Sequence, residues 1–554
     1  METRVCTRCN NDFILDENDF SFYEKMKVPA PKICPECRFK MRALWRNEMT
    51  LYSGRKCDMC GKSVVTMYNP KLPYKIYCYE CYYSEKWDPK SYGKPYDFSR
   101  PYLEQLKEFL LEVPKIATYL NHGDGQNVNS EYVNMASGCK NCYLVFNTSM
   151  VEDFLYTRGV RKGRDSSDIY FGLEVERCYE SINIQESAGV AYGENVTGCV
   201  DSFFILNGSG LINCFGCVNL RKKSNCWFNE QLTHEEYMKR LDEVRGSYSK
   251  MESARKKFEE FSLQFPRREN NNLKTVGSNG DYLFECKNVR DSFEAANAED
   301  CRYLFSSKMI KDSIGTIGYG TKSECLLEVV GTGHSSNVIG SYGVANSRNI
   351  FHSYYVSNCQ DCAACDALKN GKFSIFNYEY PKEEYEKILA HIMEELKSQD
   401  LLGLIMPTDL TPFAYNETIA QDNFPMTKEE VLKSGFRWAD DIQMTKGKET
   451  LLPENVPDHI RDVEDSIVHE ILKCIACERN YKITVQELQF YKKMNLPIPR
   501  KCFYCRHHAR VVRRGPYKFW NRICAHCSKA IVTNYAPERP EIIYCEQCYQ
   551  QEVI

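Results

Sequence analysis

The pattern of hydrophobic and polar positions divides the chain into a long middle and two ends. In the middle, short apolar or aromatic clusters are broken by Gly, Asn, Ser or Asp, as in NCYLVFN, DIYFGLE, RCYESINIQES, DSFFILNGSG and SRNIFHSYYVSNC, recurring about every nine to fourteen residues. Alternation of this kind between turn residues predicts short β-strands. Helical periodicity is absent from these stretches, so the strands are expected to stack as a parallel β-helix-like solenoid. Helical patterning does occur in THEEYMKRLDEVRGSYSKMESARKKFEEF, from Thr233, and in PKEEYEKILAHIMEELKSQ, from Pro381. Thr233 with Glu236 reads as a capping box, and Pro381 suits a first helical position.

A longer repeat overlies the short one. Cys214, Cys217, Leu220, Phe228, Asn229, Glu235, Glu236 and Tyr237 align at one constant offset with Cys362, Cys365, Leu368, Phe376, Asn377, Glu383, Glu384 and Tyr385. Cys139-Lys140-Asn141 aligns with Cys286-Lys287-Asn288, and Cys178 with Cys325, at an offset differing by one residue. The expected centre is therefore a duplicated solenoid, each half closed by one of the two helices.

Cysteine spacing defines the ends. The N-terminal pairs are Cys6/Cys9, Cys34/Cys37, Cys57/Cys60 and Cys78/Cys81; the C-terminal pairs are Cys474/Cys477, Cys502/Cys505, Cys524/Cys527 and Cys545/Cys548. Each pair is separated by 2 residues, and the gaps between pairs repeat at 24 in each first site and 17 in each second. Two intervening residues let a tight knuckle present both thiolates to one ion, and a second knuckle completes a tetrahedron. Such a site has no open ligand position, so four structural Zn2+ sites are expected, with iron–sulfur ligation as the alternative for four thiolates.

The two ends also match beyond the ligands. Phe22-Tyr23-x-Lys25-Met26, Pro29, Pro31, Arg38 and Arg42 correspond without a gap to Phe490-Tyr491-x-Lys493-Met494, Pro497, Pro499, Arg506 and Arg510. The stretch Cys6 to Arg42, with its core FYEKMKVPAPKICPECR, resembles a zinc-ribbon (treble-clef-like) domain of uncharacterised bacterial proteins, and Cys474 to Arg510 resembles a second copy. YKIYCYECYYSEKWDP, PFAYNETIAQ and YAPERPEIIYCEQCY extend the likeness to proteins from uncultured bacterial lineages. The resemblance implies zinc binding and brings no activity with it.

These signals predict an N-terminal double zinc module over residues 1–98 and solenoid halves with their helices over 99–272 and 273–398. An acidic linker over 399–470, either packed or a flexible tether, then leads to a C-terminal double zinc module over 471–554. The 13 cysteines of the middle again include CxxC groups, Cys139/Cys142, Cys214/Cys217 and Cys359/Cys362/Cys365. On one strand, positions i and i+3 point to opposite faces, so core packing is expected there rather than metal.

Composition adds two constraints. Lys plus Arg total 72 against 75 for Asp plus Glu, a net charge of −3, so any pull toward nucleic acid must be local. The opening METRVCTRCN lacks an apolar signal stretch and no segment matches a membrane span, which predicts a cytoplasmic protein without a membrane partner. Clustered cysteines in that compartment favour metal over disulfides.

No phosphate-cradling Gly-rich loop, HExxH or GxSxG pattern occurs, so no enzyme activity and no catalytic residue is predicted. The strongest binding signal lies between Arg500 and Ala530, where nine Arg or Lys meet no Asp or Glu. Arg500, Lys501, Arg506, Arg510, Arg513, Arg514, Lys518, Trp520 and Arg522 are the candidate nucleic-acid contacts, guanidinium groups meeting phosphates and exposed rings stacking on bases. His507 and His508 are expected at the surface or facing phosphate. RNA, ribosomal or otherwise structured, is the expected partner. A protein-interaction scaffold is the alternative, and a polysaccharide-active β-helix enzyme with carboxylates assembled in space is a third reading. The sequence leaves the oligomeric state open.

Overall fold

The computed structural model describes residues 1–119 and 125–553. The chain divides into two compact units, each drawn from two separate stretches: Met1–Thr118 with Asn270–Ile442, and Tyr119–Glu269 with Gln443–Ile554. Each unit thus combines one double cysteine module with one half of the duplicated centre.

The protein is rich in strands, and those of the two central halves pair in parallel. In the unit containing residues 119–269, Tyr143 pairs with Leu155, Ser167 with Tyr179, Ile182 with Glu194 and Ile212 with Ser224, a constant step along the chain. The reason lies in the backbone. From Asn129 to Phe228 a positive φ recurs at every third residue, giving four left-handed corners for each step. Asn and Asp adopt this conformation at lower cost than bulkier residues, which explains their abundance. Asn129 donates to Asn141 (2.8 Å), Asn141 to Asp153 (3.1 Å), Asn183 to Asn195 (2.8 Å) and Asn207 to Asn219 (3.1 Å), so the corners are tied into polar ladders.

The residue after each corner tends to turn inward. Cys139, Cys142, Val145, Val151, Phe154, Val160, Ile169, Val175 and Cys178 follow corner residues and share one buried core. The expectation that i and i+3 positions face opposite ways fails for this reason: three-residue periodicity, not strand alternation, brings Cys139 and Cys142 to the same side. Interior hydroxyls are also satisfied within the ladder. Ser166, Ser187 and Ser202 accept from the N–H groups of Cys178, Cys199 and Cys214 at 3.0–3.1 Å.

The other central half, in the unit containing residues 270–442, follows the same rule with one irregularity. Corners recur every third residue from Tyr282 to Gly318 and again from Lys322 to Phe376, with one extra residue between the two runs. That insertion shifts the register, so Ile310 pairs with Ser323 while Glu324 pairs with Ser336. It also corrects the alignment of Cys178 with Cys325. Cys325 is a half-buried corner residue, and the adjacent Leu326 occupies the core.

The segment 399–470 contains two stretches with buried residues. Leu402, Ile405, Phe413, Tyr415 and Ile419 are buried in its first part, and Val456, Ile460, Val463 and Ile467 in its second. These two parts belong to different units. The two helices that close the central halves are Lys382–Ser398 in one unit and His234–Val244 in the other, where Tyr248–Ser262 follows. The helix starting at His234 carries the capping box of Thr233 and Glu236, and Pro381 stands one position earlier than expected, at the N-cap of Lys382–Ser398.

Candidate metal centres

All four cysteine sets are built in the same way. A hairpin carries the first pair in its turn: Glu2–Val5 with Asp12–Leu15, Tyr52–Lys56 with Ser63–Thr66, Leu472–Lys473 with Asn480–Tyr481, and Trp520–Ile523 with Ala530–Thr533. The residue after the second cysteine is left-handed in every turn, namely Asn10, Gly61, Glu478 and Ser528. This bend presents both sulfurs to one side.

The second pair stands at a helix start. Cys34 caps Pro35–Ala43, Cys78 caps Tyr79–Tyr82, Cys502 caps Phe503–Arg514, and Cys545 precedes Glu546–Val553. The backbone N–H of each of these cysteines donates to the first sulfur of its site, Cys6, Cys57, Cys474 or Cys524, at 3.2–3.3 Å. A helix N-terminus is a favourable place for thiolate charge.

Within each set all four sulfurs lie within 4.8 Å of one another. The Cys9–Cys34, Cys60–Cys78, Cys477–Cys502 and Cys527–Cys545 sulfurs are 3.7, 3.9, 3.7 and 3.7 Å apart, far beyond a disulfide bond of about 2 Å. All 29 cysteines are free thiols. The 16 expected ligands are therefore gathered into four tetra-cysteine groups that can each hold one metal ion. The CxxC groups of the middle form no such cluster among the described residues.

In the unit containing residues 443–554, the basic helix Phe503–Arg514 meets the central ladder. Arg506 grips Asp168 with Nε at 3.0 Å and Nη2 at 3.0 Å, and Arg510 Nη2 reaches the same carboxylate at 2.9 Å. Arg506 also lies 3.7 Å from Glu487, whose carboxylate accepts from Tyr156 and Tyr491, each at 2.7 Å. Burial pushes the Glu487 carboxyl up, while Arg506 opposes that shift. Arg514 and Arg158 donate to the Tyr170 hydroxyl at 2.5 and 2.9 Å, and Arg500 donates to the Val456 carbonyl at 2.7 Å.

Arg500, Arg506, Arg510 and Arg514 are consequently buried against protein, while Lys501 and Lys518 are exposed and Arg513, Trp520 and Arg522 are half-buried. His507 is also buried, packed beside Tyr170, which corrects its expected surface position; His508 is exposed. Burial and the nearby Arg510, Arg158 and Arg514 hold His507 well below the ordinary histidine range.

The unit containing residues 1–118 repeats the arrangement. Arg38, the counterpart of Arg506, pairs with Glu328 at 2.8 Å, and Arg42, the counterpart of Arg510, pairs with the same carboxylate. Here the carboxylate has moved by one step of the ladder. Asp168 and Glu180 lie on neighbouring rungs of one half, as Gly315 and Glu328 do in the other. Gly315 has φ +72, and a Cβ there would approach Arg42 Nη1 to 2.8 Å and Glu328 Oε1 to 2.6 Å, so the vacated position must stay small. Trp45, whose indole donates to the Met406 carbonyl at 3.0 Å, and Arg46, paired with Glu48 at 2.5 Å, are buried too.

Asp168, Glu328 and Glu487 were not singled out by sequence reasoning. Their only signal is an acidic residue inside an otherwise apolar strand or helix face.

No protein-family model matches the chain, and no curated protein does. Among solved structures, a Desulfovibrio desulfuricans G20 protein described as an acetyltransferase aligns at 10% identity, covering 51% of this chain and 83% of that one, with a TM-score of 0.11. A score that low carries no argument about fold or function. No helix among the described residues is long and apolar enough to cross a membrane.

Proposed function

We propose that the protein is a non-enzymatic, cytoplasmic binding scaffold whose terminal modules are zinc ribbons of treble-clef type and whose centre is a duplicated β-helix-like solenoid. Zinc is the favoured metal because sulfurs about 2.3 Å from one ion lie roughly 3.8 Å apart at the corners of a tetrahedron, close to the spacing here. Four protein thiolates leave no coordination position for an activated water, so the ions are structural and no catalytic step is assigned to them. The solenoid reading rests on the parallel register and the left-handed residue at every third position.

One observation favours a protein partner over RNA: the paired arginines of both first-site helices turn inward onto a carboxylate. Guanidinium groups used in this way fasten a zinc module to its ladder and are not offered to phosphate. RNA binding remains the second reading, carried by exposed Lys501 and Lys518, half-buried Arg522, and Lys518 lying 5.5 Å from the Trp520 ring.

Capture of the full-length protein over a range of salt, with and without nuclease, separates the two. The scaffold reading expects the same protein partner in reciprocal captures, insensitive to nuclease and weakly dependent on salt. A partner lost on nuclease treatment, with affinity falling steeply in salt, selects RNA instead.

A further inference from the structure

The two compact units are built from matching parts, so each shows what its counterpart leaves uncovered. In the unit containing residues 1–118 and 270–442, residues 406–424 cross the C-terminal end of helix Pro35–Ala43. The Met406 carbonyl accepts from the Trp45 indole at 3.0 Å, the Thr411 hydroxyl donates to the Leu44 carbonyl at 3.0 Å, and the Ile419 N–H donates to the Arg46 carbonyl at 3.1 Å. Phe413 stacks on Tyr68 with ring centroids 5.7 Å apart, and Phe424 lies 5.5 Å from Phe39. Leu44, Trp45 and Tyr68 are consequently buried, at 2%, 0% and 0% exposure.

The offsets that align Cys34 with Cys502 and Cys57 with Cys524 make Val512, Arg513 and Tyr535 their counterparts in the other unit. Here Val512 is 58% exposed, and Arg513 and Tyr535 are half-buried. The part of 443–470 that carries Ile460, Val463 and Ile467 packs elsewhere, in one core with Leu488 and Phe490 of helix Val485–Met494. Two cavities open at the uncovered positions. One of about 290 Å3 has Ala509 and Val512 on its wall, one of about 410 Å3 has Tyr535 and Leu206, and Arg513 lines both. Leu206 is the counterpart of Tyr354, whose hydroxyl meets that of Tyr68 at 2.7 Å beside the stacked Phe413. The open volume thus matches the place of the covering segment in the first unit.

Both copies also indicate the charge of an occupant. Residues 406–424 include Asp409, Glu417 and Asp422 and no Lys or Arg. The helix that an occupant would meet is more basic than Pro35–Ala43 on this side, because exposed Lys501 and half-buried Arg513 stand in the places of Ile33 and Trp45. Complementary charge of this kind selects partner and orientation. The larger cavity is lined mostly by charged side chains, Arg539 and Glu541 forming an ion pair among them, which suits an extended polar backbone with one aromatic anchor better than a wholly apolar ligand.

We propose that the two cavities form one groove for an acidic peptide segment of a partner protein, laid across helix Phe503–Arg514 as residues 406–424 are laid across Pro35–Ala43, with an aromatic side chain against Tyr535. The inference rests on the protein-partner reading and names what that partner presents.

Fluorescence anisotropy of a labelled synthetic peptide with the sequence of residues 406–424, titrated with the full-length, metal-loaded protein, tests the groove. Saturable binding is expected. It should weaken at least about tenfold when the peptide carries Phe413→Ala, or Lys in place of Asp409, Glu417 and Asp422. Val512→Glu and Lys501→Glu in the protein should each weaken it about as much, with metal content unchanged; both side chains are exposed, so both variants are expected to fold. No saturable binding up to about 1 mM, or unchanged affinity in both variants, overturns the groove. A protein partner whose nuclease-insensitive capture is unaffected by V512E overturns the groove and leaves the scaffold reading intact. A partner lost on nuclease treatment overturns the scaffold reading and this inference with it, even where the peptide binds.

Discussion

Asp168 is buried with two arginines, and its removal tests how the C-terminal cysteine module is fastened. Asp168→Asn leaves Arg510 in the interior without its counter-charge and Arg506 with only Glu487, 3.7 Å away, which is expected to cost about 3–5 kcal/mol in urea unfolding of that unit. Replacing Asp168, Arg506 and Arg510 together by apolar residues of similar volume should cost much less, because no charge is then stranded. A second residue gives a pH signature in the other unit. His352 is buried, faces the Leu404 carbonyl through Nε2 at 3.1 Å, and is pulled down to about 4 by loss of hydration. Its folded-state value lies below its unfolded value, so stability is fully present above about pH 6.5 and falls as the pH drops toward 4, by roughly 3 kcal/mol over that window. His352→Gln is expected to flatten this part of the stability profile, and an unchanged slope would assign it to other groups. The arginines of these clamps were visible in the sequence as a basic run, but their burial was not. Composition alone does not distinguish a guanidinium facing phosphate from one facing Asp168.

The cysteine knuckles were readable at the level of the element because ligand chemistry fixes both the residue type and the spacing. The central ladder was legible only as short strands with turn residues. Its three-residue period was obscured because corner positions accept Asn, Asp and Gly but also Tyr, Phe, Met and Lys, as at Tyr156, Phe171, Met150 and Lys162. Once the period is known, the order of corner then core is plain in GCKNCYLVFNTSMVEDF. Asn141 tests the element directly, with φ +54 and hydrogen bonds to Asn129 and Asp153 on either side. Asn141→Ala loses the ladder and strains the left-handed backbone, whereas Asn141→Gly loses only the ladder and adds chain entropy. Thermal or urea unfolding should show Ala as the more destabilising by about 1 kcal/mol. Equal effects would mean that the corner is not held left-handed.

For the whole molecule, the sequence showed duplicated ends and a duplicated middle, but not which end belongs with which half. Each compact unit draws on stretches far apart in the chain, an association set by long-range contacts such as Arg38–Glu328 and Arg506–Asp168 that no local pattern encodes. The metal sites support this arrangement. Small modules with little apolar core depend on a bound ion, and in zinc-finger peptides a structural Zn2+ contributes roughly 10–16 kcal/mol. The most direct measurement is metal stoichiometry on the full-length protein, combined with X-ray absorption at the zinc edge and the intact mass after denaturation. Four zinc ions per chain, sulfur-only first shells at about 2.3 Å and a mass without disulfides are the predicted result. Fewer than four ions, nitrogen or oxygen ligands, or a mass lowered by about 2 Da for each bridged cysteine pair would contradict the account.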